Sequence, residues 1–160
     1  MEFKMKILFV CYGNICRSPS AEAVMKKLVK NEKLSDKIYC DSAGINGYHE
    51  GQNADSRMRE YASKRGLNLT SISRQINPKI DLEKFDYIVG MDYENMNDLT
   101  HLDFDGKYKN KIIKMTDFCT KINARDVPDP YYGGGKGFEI VLDILEDACE
   151  GFLQKLKKEI

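Results

Sequence analysis

A cysteine and an arginine, Cys11 and Arg17, stand at the two ends of a short predicted loop. The apolar run at residues 7–10 predicts a buried strand before this loop, and apolar residues spaced three and four apart over 21–29 predict a helix after it. The unpaired N–H groups at the start of a helix bind anions, and they favour the thiolate form of a nearby cysteine. A guanidinium can bind two oxygens of one phosphate. The sequence therefore predicts a cysteine nucleophile for phosphoryl transfer.

Several segments outside the loop strengthen this prediction, because together they resemble one family. These segments are residues 41–44, 74–75, 85–88, 91–92 and 129–132, and they are considered together with the loop and the two residues after it, 11–19. They are similar to the low-molecular-weight protein tyrosine phosphatases, and the resemblance covers nearly the whole chain. It implies a flavodoxin-like fold of the phosphotyrosine phosphatase I type. It also implies a cytoplasmic enzyme that hydrolyses phosphotyrosine proteins or small aryl phosphates without a cofactor or a metal.

The resemblance assigns three residues to the chemistry. Cys11 would attack phosphorus to give a phosphocysteine, which water then hydrolyses, while Arg17 and the loop amides hold the phosphate oxygens. Asp129 would protonate the leaving phenolate, and a general acid of this kind contributes about 10²–10⁴-fold. An aspartate before a proline is also a frequent turn residue, so Asp129 alone would not indicate an acid. The Cys11 loop and the tyrosines that follow Asp129 favour the acid.

Residues in and beside the loop are expected to support it. Gly13 and Asn14 both tolerate a left-handed backbone, and the asparagine amide can fix a turn. Ser18 has two interpretations, since its hydroxyl either caps the following helix or donates a hydrogen bond to the thiolate. Many relatives carry a histidine at the position of Ser71. With serine there, Ser71 and Ser42 are the expected partners of the loop.

Aromatic and apolar residues around the loop are expected to form the wall of a slot for an aryl phosphate. They are Tyr12, Ile15, Tyr48, Tyr131 and Tyr132. Within the resemblance, a threonine at position 15 is typical of phosphoarginine-directed relatives, so the isoleucine favours phosphotyrosine. Cys16 also belongs to the loop and has two interpretations. It is either a small core residue beneath the loop, or a thiol that forms a disulfide with Cys11 after peroxide oxidises the nucleophile.

The order of the predicted elements indicates an α/β fold. Strands are predicted at 6–10, 38–40, 87–91 and 112–115, and helices at 18–31, 55–64, 78–84, 93–101 and 138–160. Their alternation predicts a four-stranded parallel sheet with helices on both faces, in a single domain over residues 1–160. Ligands of such sheets bind at the carboxyl ends of the strands, and the loop after the first strand lies at that edge.

Composition excludes several classes of function. Lys and Arg together number 25, as do Asp and Glu, so no global charge favours nucleic acid or an anionic membrane. No apolar run approaches the roughly 20 residues of a membrane-spanning helix, and the run before the loop is too short for a signal peptide. Five cysteines without regular spacing are expected to be reduced thiols, and they form no metal-ligand pattern with the two histidines. Nothing in the pattern predicts an oligomeric state.

Two other functions are compatible with the loop. A thiol-dependent arsenate reductase on the same fold would need further cysteines near the third strand, and residues 81–91 contain none. A phosphate-binding module without catalysis would be expected to lack Cys11 or Asp129, and the sequence has both. Turnover of para-nitrophenyl phosphate without added metal distinguishes the three possibilities.

Overall fold

The computed structural model describes residues 2–160, apart from the side chain of Tyr132. The strands are β1 (Met5–Cys11), β2 (Ile38–Gly44), β3 (Tyr87–Gly90) and β4 (Ile112–Lys114). The α-helices are α1 (Arg17–Asn31), α2 (Ser56–Ser63), α3 (Pro78–Lys84), α4 (Tyr93–Leu102) and α5 (Gly134–Lys157). Short 3-10 turns lie at Lys109–Lys111, Met115–Phe118 and Pro130–Tyr132. Strands and helices therefore alternate along most of the chain, as the sequence predicts.

The sheet is parallel throughout, and its strand order is β2-β1-β3-β4, so β1 is a central strand. The register aligns Cys11 with Gly44 of β2 and Val10 with Gly90 of β3. The chain leaves β1 toward β2 and then crosses back to β3, so the strand order reverses at the end of β1. This is the position at which parallel sheets bind ligands.

Successive residues of β1 point to opposite faces of the sheet, as in any strand. Ile7 and Phe9 belong to a hydrophobic cluster with residues of α1, α2 and α5, whereas Leu8 and Val10 belong to a second cluster with residues of α3 and α4. All four side chains are fully buried. Burial on both faces explains the continuous apolar run. The predicted α/β class, with helices on both faces of a four-stranded parallel sheet, is confirmed.

Two elements, β2 and α5, differ from their predicted ranges by more than one residue at an end. β2 extends to Gly44, because the small and polar residues 41–44 continue to pair with β1. α5 begins at Gly134, within a glycine-rich segment whose composition predicts a loop. Phe138 is buried there and stacks on Tyr61 with ring centroids 5.4 Å apart. This packing stabilises the first turn of α5 and overrides the low helix propensity of glycine.

α5 covers one face of the sheet and packs against α1. It is 24 residues long, and the fully buried Val141, Leu145, Ala148 and Phe152 recur along it at helical spacing. Charged residues occupy the opposite side of the helix. Within residues 2–160, no helix combines the length and the apolar character that crossing a membrane requires.

Candidate active site

The loop between β1 and α1 has one residue in the left-handed region. This residue is Asn14, with a φ of 58°, whereas Gly13 does not have a positive φ. Glycine at position 13 instead leaves room for His49, since a Cβ at Gly13 would lie 3.0 Å from Cδ2 of His49. Gly13 therefore allows His49 to approach the loop, and Asn14 alone supplies the left-handed turn that both residues were expected to tolerate.

A chain of buried hydrogen bonds links Cys11 to the residues that support the loop. Sγ of Cys11 lies 3.0 Å from Oγ of Ser18. Nδ2 of Asn14 donates to Oγ of Ser18 at 2.8 Å and to Oγ of Ser42 at 3.0 Å. Oδ1 of Asn14 accepts from the backbone N–H of Arg74 at 3.0 Å. The Asn14 amide therefore joins β2, the start of α1 and residue 74 beneath the loop.

The interpretation of Ser18 as a helix cap is wrong. α1 already begins at Arg17, its N-cap is Cys16, and no side-chain hydrogen bond caps it. Ser18 thus lies inside the first turn and is fully buried, so its hydroxyl is available to Cys11. The support expected from Ser71 comes instead from Ser73, whose Oγ donates to the carbonyl of Gly13 at 3.0 Å.

Arg17 is held by a residue that the sequence analysis did not identify as part of the site. Nη1 of Arg17 donates to Oδ2 of Asp92 at 2.5 Å and to the carbonyl of Val127 at 3.2 Å. Burial alone would lower the pKa of Arg17, but the neighbouring Cys11 and Asp92 raise the pKa above its ordinary value. The guanidinium is therefore charged. Asp92 lies two residues after the end of β3, so it is at the same edge of the sheet as the end of β1. This position just beyond a predicted strand is the feature of the sequence that could have identified Asp92 as a site residue.

A cavity of about 320 Å³ lies over the loop. Its lining residues are Cys11, Tyr12, Gly13, Ile15, Cys16, Arg17, Tyr48, His49, Asp129 and Tyr131. The structure thus brings the three proposed chemical residues to one cavity with four of the five expected wall residues. Tyr48 is 85% exposed and lies at the rim. The fifth wall residue, Tyr132, has its side chain outside the described part of the chain, and Asn14, Ser18 and Ser42 are not among the lining residues.

Asp129 lies in an exposed segment that contacts α2 through the side chains of Tyr131 and Arg57. Its Oδ1 accepts from the backbone N–H of Tyr131 at 3.0 Å and so caps the 3-10 turn that follows. The guanidinium carbon of Arg57 lies 5.3 Å from the ring centroid of Tyr131 and 5.1 Å from that of Phe138. Such cation–π contacts stabilise the position of the Tyr131 ring. Asp126, three residues before Asp129, pairs with Lys114 at 3.5 Å.

Cys16 lines the cavity but is mostly buried. Burial, followed by the negative charge of Asp55, raises the pKa of the Cys16 thiol above its ordinary value. Cys16 is therefore a neutral thiol close to Cys11. All five cysteines are free. In the described part of the chain, no group of three or more histidine, cysteine or carboxylate side chains is arranged to hold a metal ion.

Comparisons with known proteins agree on one family. Residues 6–160 match the family described as low molecular weight phosphotyrosine protein phosphatase. The crystal structure of a protein tyrosine phosphatase from Entamoeba histolytica, with Hepes in its active site, is 56% identical, has a TM-score of 0.93, and is matched over 97% of this chain and 98% of that chain. The low molecular weight protein-tyrosine-phosphatase YfkJ of Bacillus subtilis is 39% identical over 97% of each chain. The low molecular weight phosphotyrosine protein phosphatase of Mus musculus is 40% identical over 93% of this chain and 94% of its own. The chain belongs to the low molecular weight phosphotyrosine protein phosphatase family.

Proposed function

We propose that the protein hydrolyses phosphotyrosine in proteins and small aryl phosphate monoesters, with Cys11 as nucleophile, Arg17 as phosphate-binding residue and Asp129 as general acid. The observation that carries the proposal is that these three residues line one cavity at the end of β1. The first turn of α1 adds backbone N–H groups and the positive end of its dipole. Residues 1–160 act in this proposal as one catalytic domain.

In the first step, the phosphate oxygens face the loop N–H groups and the Arg17 guanidinium. The Cys11 thiolate forms an S–P bond while the bond from phosphorus to the aryl oxygen breaks, and Asp129 gives its proton to the leaving phenolate. In the second step, water attacks phosphorus and Asp129 takes a proton from it. The S–P bond then breaks, which releases inorganic phosphate and restores the thiolate. The Ser18 hydroxyl, 3.0 Å from the sulfur, stabilises that leaving thiolate by a hydrogen bond.

The wall of the cavity supports an aromatic substrate. Tyr12 and Tyr131 are more than half exposed and flank the cavity, so their rings can contact the ring of a phosphotyrosine. Ile15 adds apolar surface at the position where phosphoarginine-directed relatives carry threonine. We expect kcat/KM for a phosphotyrosine peptide to exceed that for the matching phosphoarginine peptide by at least about tenfold, since the Ile15 side chain offers the guanidinium no hydrogen-bond acceptor where a threonine would. The reverse preference would overturn the substrate assignment.

Hydrolysis of para-nitrophenyl phosphate without added metal tests the activity. Cys11→Ser should abolish turnover and keep inorganic phosphate binding, because the loop amides and Arg17 are unchanged. Cys119→Ser is the matched control, since Cys119 is partly exposed and does not line the cavity. Substantial turnover by Cys11→Ser would show that the reaction is not covalent catalysis by this thiol.

Reversible oxidation of Cys11 is a second part of the proposal. Peroxide would convert the thiolate to a sulfenic acid, and the Cys16 thiol would displace water from it to give a disulfide. The two cysteines line the same cavity. The raised pKa of Cys16 slows this step, because a thiolate is the better attacking form. Without Cys16, further peroxide would oxidise the sulfenic acid to a sulfinic acid, so Cys16→Ser should make inactivation by peroxide irreversible to thiol reductants. Full recovery of this variant, with no Cys11–Cys16 link in peptide mapping, would exclude the disulfide.

A cytoplasmic location also belongs to the proposal. Five free cysteines, one of them the nucleophile, remain reduced in that compartment. Fractionation of cells that express the tagged protein tests the location. Recovery in a membrane or secreted fraction would contradict it.

A further inference from the structure

Glu22 of α1 is a buried carboxylate for which the proposed chemistry has no use. It is only 5% exposed. Its Oε1 accepts a hydrogen bond from Oγ of Ser42 at 2.6 Å, and its Oε2 pairs with Nζ of Lys26 at 2.5 Å. The Lys26 side chain is 54% exposed, so the ion pair reaches solvent at one end only. At its other end, Glu22 joins the hydrogen bonds beneath the phosphate loop.

The positions of the hydrogens in this network follow from the groups that can act only as donors or only as acceptors. The backbone N–H of Arg74 is only a donor, so Oδ1 of Asn14 faces it and Nδ2 faces the two serines. Ser18 and Ser42 each receive one hydrogen from Nδ2 and have one hydrogen to give. For Ser18, the sulfur of Cys11 is 3.0 Å away and the other acceptor, a backbone carbonyl, is 3.5 Å away. A thiolate has no hydrogen to give, so in the reactive form of Cys11 it is Ser18 that donates to the sulfur.

Ser42 gives its one hydrogen to Glu22. An ionised carboxylate is only an acceptor, so the Ser42 hydroxyl has one stable orientation and keeps its lone pairs turned to Asn14. An amide at position 22 could donate instead, which would turn the Ser42 hydrogen toward Nδ2 of Asn14 and break that contact. Asn14 has a φ of 58°, an uncommon conformation for a residue other than glycine, so it depends on such contacts.

We propose that Glu22 is a positioning residue for the phosphatase reaction, acting through Ser42 and Asn14 to hold the Ser18 hydroxyl toward Cys11. The inference rests on the proposed function, because it assigns Glu22 to the same nucleophile. Glu22 itself touches neither the substrate nor the reacting sulfur. The bonds run from the Lys26–Glu22 pair near the surface to the floor of the cavity.

The test compares Glu22→Gln, Ser42→Ala and the double variant, with Glu60→Gln as an exposed control that makes the same change of charge. Two rates are measured: kcat for para-nitrophenyl phosphate, and inactivation by iodoacetamide, which reports the reactivity of the Cys11 thiolate. We expect Glu22→Gln to lower both by about 3–10-fold, a fraction of what a full hydrogen bond to a charged group contributes. The double variant should be no slower than Ser42→Ala, because Glu22 acts through Ser42. Glu60→Gln should match the parent.

Parent-like rates in Glu22→Gln, or effects of Glu22→Gln and Ser42→Ala that multiply in the double variant, would overturn the inference. Thermal melts establish that each variant is folded. If Glu22→Gln does not fold, Ser42→Ala alone decides, since parent-like rates without the Ser42 hydroxyl would remove the link. Absence of turnover in the parent protein would refute the proposed function, while the iodoacetamide rates would still test the role of Glu22.

Discussion

Replacing Asp92 by asparagine isolates the charge that faces Arg17. The asparagine keeps an oxygen that can accept from the N–H of Asn95, so the cap of α4 survives. The Arg17 side chain is 5% exposed and that of Asp92 is 22% exposed, so the pair is largely buried. Removing one partner of a fully buried pair costs about 3–5 kcal/mol, and a hydrogen bond to a charged group contributes about 1.5–3 kcal/mol. Because Asp92 retains some solvent, we expect the free energy of unfolding to fall by about 1.5–3 kcal/mol.

Thermal unfolding with and without inorganic phosphate measures this effect. For a domain of this size the expected loss lowers Tm by about 3–12 °C. Phosphate supplies a new negative charge to the unpaired Arg17, so saturating phosphate should narrow the difference in Tm between Asp92→Asn and the parent. The kcat should fall by about tenfold, because the guanidinium loses its fixed orientation.

Asp126→Asn is the matched control for this experiment. Asp126 pairs with Lys114 at 3.5 Å, and both side chains are partly exposed, so the pair contributes about 0–1 kcal/mol. Its Tm should change by no more than about 4 °C. An unchanged Tm in Asp92→Asn, or a difference that phosphate leaves as wide as before, would refute the view that Asp92 balances the charge of Arg17 when no phosphate is bound.

Three further changes have defined outcomes. Asp129→Asn should slow hydrolysis of phosphates with poor leaving groups at least about tenfold more than that of activated aryl phosphates; equal slowing across a leaving-group series would remove it as the acid. Burial raises the pKa of Asp147, but N–H groups such as that of Ile122 outweigh it and lower the pKa below the ordinary value, so this carboxylate stabilises the fold above about pH 4 and loses that effect on acidification. The Tm of the parent should therefore fall more steeply below pH 4 than that of Asp147→Asn, and parallel curves would contradict this. Gly151→Ala would place a Cβ 2.1 Å from the carbonyl oxygen of Phe118, so chemical denaturation should show a loss of about 1–3 kcal/mol that alanine at the exposed neighbouring position 150 does not cause.

Local patterns were sufficient to predict the architecture. The apolar run of β1 and the helical spacing in α1 and α5 are properties of short segments. In each segment the pattern of apolar residues itself indicates which side chains are buried. The loop between β1 and α1 is also local, so its thiol, its arginine and its left-handed asparagine could all be anticipated from residues 11–18. Asp129 could be anticipated only through the family resemblance.

The partners of the loop depend on distant register and could not be predicted in the same way. Asp92 lies 75 residues from Arg17 in the chain and reaches it because β3 is adjacent to β1. The choice of Ser73 over Ser71 depends on which side chain the connection between α2 and α3 turns inward, and that connection has no periodic pattern. Glu22 has the helical position of a buried residue and the charge of a surface residue, and its Ser42 partner becomes adjacent only when β2 pairs with β1.

The central place of β1 has a consequence for how the protein folds. Its pairings join Met5 to Ile38 and Ile7 to Tyr87, so the sheet has no hairpin that could form early from neighbouring residues. Contacts of such long sequence separation slow folding. The groups that support the Cys11 loop and Arg17 come from β2, from residue 74 and from the segment after β3, so they meet only once β2 and β3 have paired with β1. A chain in which these strands have not yet paired therefore has Cys11 without the groups that hold its loop and Arg17 in place.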